Sequence, residues 1–163
     1  MHETKYVVKR VLTTAEAAYL AGIVDGEGTL SVWRSRPHDY RSRDKYAMTF
    51  TIAQADWPFL DGIRQMAGNG HVAACRRKQP DPRRKPEYKL VFNGHQTRWI
   101  LPQISPYLRV KRRQADLVLQ FLGAGVGDKE RARIYGECHA LNQKGPAAIP
   151  INRPEALPGA LAS

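Results

Sequence analysis

Ten residues in the first third of the chain, KYAMTFTIAQ (45–54), alternate between large apolar side chains and small or polar ones. Tyr46, Met48, Phe50 and Ile52 share one face; Lys45, Ala47, Thr49 and Thr51 share the other. A period of two specifies a strand that is buried on one side and wet on the other, the condition of a sheet covered on a single face. EYKLVFN (87–93) repeats the pattern, with Tyr88, Leu90 and Phe92 set against Glu87, Lys89 and Val91. TLSVWRS (29–35) and GHVAACRRK (70–78) supply two more β-rich runs. Polar RPHDYRSRD (36–44) and Pro-rich QPDPRRKP (79–86) connect the runs into two hairpins.

Helical segments frame these strands. Thr13 and Glu16 form a T-x-x-E capping box that opens the first helix, which Gly26 and Gly28 should end. ADWPFLDGIRQMAG (55–68) reads as a short helix stopped by Gly68. HQTRWILPQI (95–104), VKRRQADLVLQFLGA (110–124) and DKERARIYGECHALNQ (128–143) read as three more. The expected fold is α+β, in the order αββαββα, with one antiparallel curved sheet covered by helices on one face and a helical C-terminal extension. We expect a single domain over 1–144, with a core at 13–122 and the extension at 123–144. Residues 145–163 form a Pro/Ala-rich tail.

Charge narrows the partner. The chain carries 26 Lys and Arg against 15 Asp and Glu, a net charge of +11 with a pI near 10.0, which favours a polyanion. An open, basic sheet face suits the major groove of DNA, which admits a β-ribbon. No apolar run approaches the ~20 residues of a membrane span, and the first ten residues have no signal-peptide pattern. A soluble intracellular protein with no membrane partner is expected. Cys75 and Cys138 lack metal-ligand spacing and read as reduced thiols. GAGVG (123–127) follows a helix and not a strand, so no organic cofactor is expected there. Asp81 and Glu87 with Lys89 spell PD…ExK, but six positions across a Pro-rich turn make them hairpin-tip residues. Asn93-Gly94-His95 hints at an HNH nuclease without any further ligand set.

The acids of residues 13–32 remain. Asp25 and Glu27 lie between glycines at the end of the first helix, where the macrodipole is already negative. On a helical wheel Ala18, Ala21, Gly22, Asp25 and Gly26 fall on one stripe, while Tyr19, Leu20, Ile23 and Val24 lie opposite and pack under the sheet. Gly22-x-x-x-Gly26 permits close approach of a second helix. If that helix belongs to a second copy, a two-fold axis brings two Glu27 carboxylates and their neighbouring carbonyls together. Such a cluster needs hard cations with oxygen ligands, and Mg²⁺ is the natural candidate.

Leu20-Ala21-Gly22-Ile23-Val24-Asp25-Gly26-Glu27-Gly28 resembles the signature of the LAGLIDADG homing endonucleases. Pro106 to Leu117, PYLRVKRRQADL, resembles the stretch that carries the family's active-site lysine, and the likeness runs to about residue 122. One copy of the motif is present, which in this family implies a homodimer, with Ala18, Ala21, Gly22, Asp25 and Gly26 at the interface. The resemblance implies double-stranded DNA as substrate, a long pseudo-palindromic target of roughly 20 base pairs and Mg²⁺-dependent hydrolysis. Mn²⁺ should substitute, and Ca²⁺ should support binding without cleavage. It assigns Glu27 and the Gly26 carbonyl to the metal, and Glu27, Gln54 and Lys111 to catalysis. It places Ser31, Trp33, Ser35, Lys45, Thr49, Thr51, Arg77 and Lys89 on the bases, and Arg34, Arg36, Arg41 and Arg43 on phosphates. Two departures stand out: Glu27 occupies a position where Asp is commoner, and Ala55, Asp56 and Trp57 follow Gln54 where some relatives carry a basic residue. The competing reading is a DNA- or RNA-binding protein of the same fold that does not cut, such as an intron maturase or a regulator.

Overall fold

Thr13 opens the first helix as the local rules require. In the computed structural model, which describes residues 9–35, 44–75, 83 and 86–144, the Thr13 hydroxyl accepts from the Glu16 N–H at 3.2 Å. Glu16 accepts in return from the Thr13 N–H at 2.9 Å and pairs with Arg10 at 2.6 Å. Helix α1 spans Thr14–Glu27 and passes directly into strand β1, Gly28–Ser35. Strand β2 is Lys45–Gln54, and helix α2 is Trp57–Ala67. Strands β3, His71–Ala74, and β4, Tyr88–Phe92, precede helix α3, Gly94–Ile104. A 3₁₀ turn at Ser105–Tyr107 leads to helices α4, Arg112–Phe121, and α5, Asp128–Lys144. Asn93 caps α3 through a reciprocal bond pair with Gln96, so Asn93-Gly94-His95 is a helix start. Gly68 ends α2 with φ +67, a conformation that favours glycine.

The fold is α+β: one four-stranded antiparallel sheet in the order β1-β2-β4-β3, with the α-helices numbering five among the described residues. The period-two pattern becomes the core. Phe50, Ile52, Leu90 and Phe92 are fully or almost fully buried, with the Phe50 and Phe92 rings stacked at 4.6 Å. Leu20 and Val24 of α1, Leu60 of α2, and Ile100, Leu101 and Ile104 of α3 close over them. Helix α5 is part of this core, since Ile134 and Cys138 are fully buried against the rest of the chain. Burial pushes the Cys138 thiol up from its usual pKa.

Two boundaries differ from expectation for local reasons. Helix α4 begins at Arg112 and not at Val110, because the backbone N–H groups of 109–111 are turned onto a side chain of α1. Strand β3 is four residues long, and the remainder of GHVAACRRK beyond Cys75 lies outside the described residues. The tail from 145 lies outside them as well. Among the described residues no helix is long and apolar enough to cross a membrane.

Candidate active site

The junction between α1 and β1 admits no side chain at Gly28, where a Cβ would sit 2.6 Å from the Val24 carbonyl oxygen. Helix and strand therefore meet without a loop, and Glu27 is left exposed at the junction. Asp25, two residues earlier, is turned inward. Its Oδ2 accepts from the Arg109 N–H at 2.7 Å, and its Oδ1 from the N–H groups of Val110 at 3.1 Å and Lys111 at 2.9 Å. The Lys111 ammonium then donates to the Asp25 carbonyl oxygen at 2.5 Å. Burial lowers the Lys111 pKa below the usual lysine value, while the charges of Asp25 and Glu27 oppose that shift.

Gln54 reaches the same end of the molecule through strand register. Gly28 stands opposite Ile52, so Gln54, two residues further along β2, lies beside the α1 terminus. Its side-chain oxygen accepts from the Ala55 N–H at 2.9 Å. Asp56, in the segment without a basic residue, is occupied as the N-cap of α2. Trp57 packs edge-on against Tyr88, with ring centroids 6.5 Å apart. The fold thus collects Glu27, Gln54 and Lys111 at one end of α1. Among the described residues no group of three or more His, Cys, Asp or Glu forms a ready cation cage.

The exposed stripe of α1 differs from the helical wheel in three places. Ala18, Gly22 and Gly26 are exposed, with open space where a Cβ would stand at either glycine. Ala21, however, is fully buried under its own chain, so it contributes no outer surface. Tyr19, expected beneath the sheet, is instead 54% exposed. Asp25 spends its carboxylate on residues 109–111 and so is not a surface polar group of the stripe. The buried arc of α1 is Ala17, Leu20, Ala21 and Val24.

On the face of the sheet turned away from the core the register builds rows. Trp33 stands opposite Ala47, and Ser31 opposite Thr49. Thr29, Thr51, Val91 and His71 form one row across all four strands. Ala53, Lys89 and Ala73 form the next. Ser35 and Lys45 close the far end. Arg34, expected on phosphates, lies on the other face with Tyr46, pairs with Asp44 at 3.4 Å and lies 5.1 Å over the Tyr135 ring of α5. The short strand β3 gave no alternation to read, so His71 and Ala73 joined the face only through pairing with β4. Arg36, Arg41, Arg43 and Arg77 lie outside the described residues.

No family model matches the chain. The DNA endonuclease I-CreI of Chlamydomonas reinhardtii is 31% identical over 107 residues, which are 64% of this chain and 60% of that enzyme. The fold is similar to the homing endonuclease I-CvuI solved with its target in the presence of Ca, with a TM-score of 0.63 and 26% identity, covering 77% of this chain and 81% of the other. It is also similar to the archaeal intron-encoded homing endonuclease I-Vdi141I complexed with DNA, with a TM-score of 0.64 and 17% identity over 83% of this chain and 87% of the other; at that identity the likeness concerns the fold alone. The motif at 20–28, the αββαββα sheet that it enters and these likenesses agree: the chain is similar in motif, sequence and fold to the LAGLIDADG homing endonucleases.

Proposed function

We propose that the protein is a site-specific double-strand DNA endonuclease that acts as a homodimer with Mg²⁺, for which Mn²⁺ substitutes. The observation that carries this reading is the grouping of exposed Glu27 with Lys111 and Gln54 at the end of α1, beside a helix stripe open at Gly22 and Gly26. The donors offered to a cation are hard oxygens, the Glu27 carboxylate and the Gly26 carbonyl. They fit Mg²⁺ in kind but are too few in one chain. A second Glu27 across a two-fold axis, together with phosphate oxygens, completes the set. Bound there, Mg²⁺ supplies Lewis-acid polarisation of the scissile phosphate.

The chain's own residues do the rest. Lys111 stabilises the negative charge that grows on the phosphate, from a position held by Asp25 on both its backbone and its ammonium. Gln54 orients water by hydrogen bonds from its amide. The open sheet face lies along the major groove, and a ten-residue strand spans about 30 Å, or roughly nine base pairs. Two subunits cover on the order of 20 base pairs of pseudo-palindromic sequence. Residues 1–144 form the single functional unit.

A site selected from random duplexes in Ca²⁺ and then incubated with Mg²⁺ tests the reading. Wild type should cut both strands at the site centre, whereas Glu27→Gln should bind equally and not cut. Specific binding without cleavage by either protein would leave a regulator or splicing cofactor. Cleavage that survives Glu27→Gln would remove Glu27 from the metal.

A further inference from the structure

The chemistry displayed on the open sheet face is unusual for a surface that meets DNA. Guanine and adenine are read in the major groove chiefly by the forked groups of Arg, Asn and Gln, or by Lys. Among the described strand residues this face carries no Arg, Asn or Gln at all. Its lysines, Lys45 and Lys89, stand at separate ends of the pairing pattern. The hydroxyl of Ser31 is already engaged inside the chain: it donates to the Val32 carbonyl at 3.3 Å and accepts from the Asn142 amide at 3.1 Å.

Methyl-bearing and apolar groups take the space between the lysines. Trp33 is 48% exposed beside Ala47, and Val91 is 37% exposed beside Thr51. Thr49 occupies the row between them, and Ala53 and Ala73 flank Lys89. An exposed apolar row in the middle of a basic surface loses hydration when it is covered, and it gains most from an apolar partner. The major groove offers one such partner, the C5-methyl group of thymine, which Ala and Thr side chains contact. The net charge of +11 supplies the attraction to the phosphates that brings the groove onto the face.

We infer that, across the described strands, this protein selects its target chiefly through thymine methyl groups under Trp33, Thr49, Thr51 and Val91, with hydrogen-bonded base readout by strand residues confined to Lys45, Lys89 and His71. The inference rests on the face binding duplex DNA as proposed above, and it names the bases that the face prefers.

Deoxyuridine tests this, because it differs from thymidine only in lacking the methyl. A site is selected from random duplexes in Ca²⁺ and resynthesised with deoxyuridine for thymidine within both half-sites. A control carries the same number of replacements outside them, and affinities are measured by fluorescence anisotropy. Each contacted methyl that is removed should weaken binding about fourfold, the factor expected for one buried methyl-sized group, while the control duplex binds as before. Thr51→Ser, which keeps the hydroxyl and loses the methyl, should shrink the penalty at one thymine position per half-site. Full affinity for the deoxyuridine site would overturn the inference and leave the endonuclease reading intact. A selected site without enriched thymine would overturn it equally. Failure to select any site would overturn both readings.

Discussion

Asp25 is the residue whose replacement the structure makes most quantitative. Its carboxylate takes three backbone N–H groups from residues 109–111, more than eighty positions away, and so ties the start of α4 to the end of α1. Hydrogen bonds to a charged group contribute about 1.5–3 kcal/mol each when dry. These lie at a half-exposed loop where water replaces part of each, so about 1 kcal/mol per bond is the working figure, or ~3 kcal/mol in total. The carboxylate also sits near the N-terminus of α4, which adds roughly 0.5 kcal/mol. At about 2–4 °C per kcal/mol for a chain of this size, Asp25→Ala should lower Tm by about 7–14 °C. Asp25→Asn keeps one acceptor oxygen and turns an amide N–H₂ towards the donors, so roughly half that loss is expected. Thermal unfolding by circular dichroism at equal protein concentration measures both. Because Lys111 is held by the same residue, Asp25→Asn assayed well below its Tm should also cut about a hundredfold more slowly, the cost of a displacement of about 1 Å at a reacting centre. A Tm for Asp25→Ala within about 2 °C of wild type would refute the reasoning.

Gly22→Leu fills open space in the single chain and improves helix propensity by roughly 1 kcal/mol, but it should abolish the proposed dimer; sedimentation velocity showing a dimer unchanged by the substitution would place the interface elsewhere. Ile134→Ala should lower stability by about 2–4 kcal/mol in urea unfolding, because the side chain is fully buried; no change would mean that α5 folds apart from the core. Lys111 has a folded pKa below 10.5, so in the window between the two values the unfolded chain binds more protons. Its contribution to stability therefore rises as pH climbs through that window. Lys111→Met should remove that slope from the pH dependence of urea midpoints, and an unaltered slope would contradict the burial of the amine.

Local physics carried much of this protein in its primary structure. The Thr13–Glu16 box marks the start of α1, period-two alternation in 45–54 and 87–93 marks two strands with their buried faces, and Gly68 marks a helix end. Each depends on neighbours a few residues apart, so each is written in the order of residues. The motif at 20–28 belongs to the same class, because the helix end, the junction glycine and the acid are contiguous. Other features depend on partners brought from afar. Which arc of α1 is buried follows from how the helix packs on the rest of the chain, which hid Ala21 and exposed Tyr19. That Arg34 lies over the Tyr135 ring was set by α5, a hundred positions later. The row Thr29–Thr51–Val91–His71 exists only because β4 pairs with both β2 and β3. Asp25, which on the wheel belonged to an outer surface, found its donors in the loop before α4. The sequence by itself determined the elements, their wet and dry faces and the acid that ends α1, whereas the neighbours each face would meet were decided by packing, since a contact between distant residues is a property of the whole core and not of any segment in it.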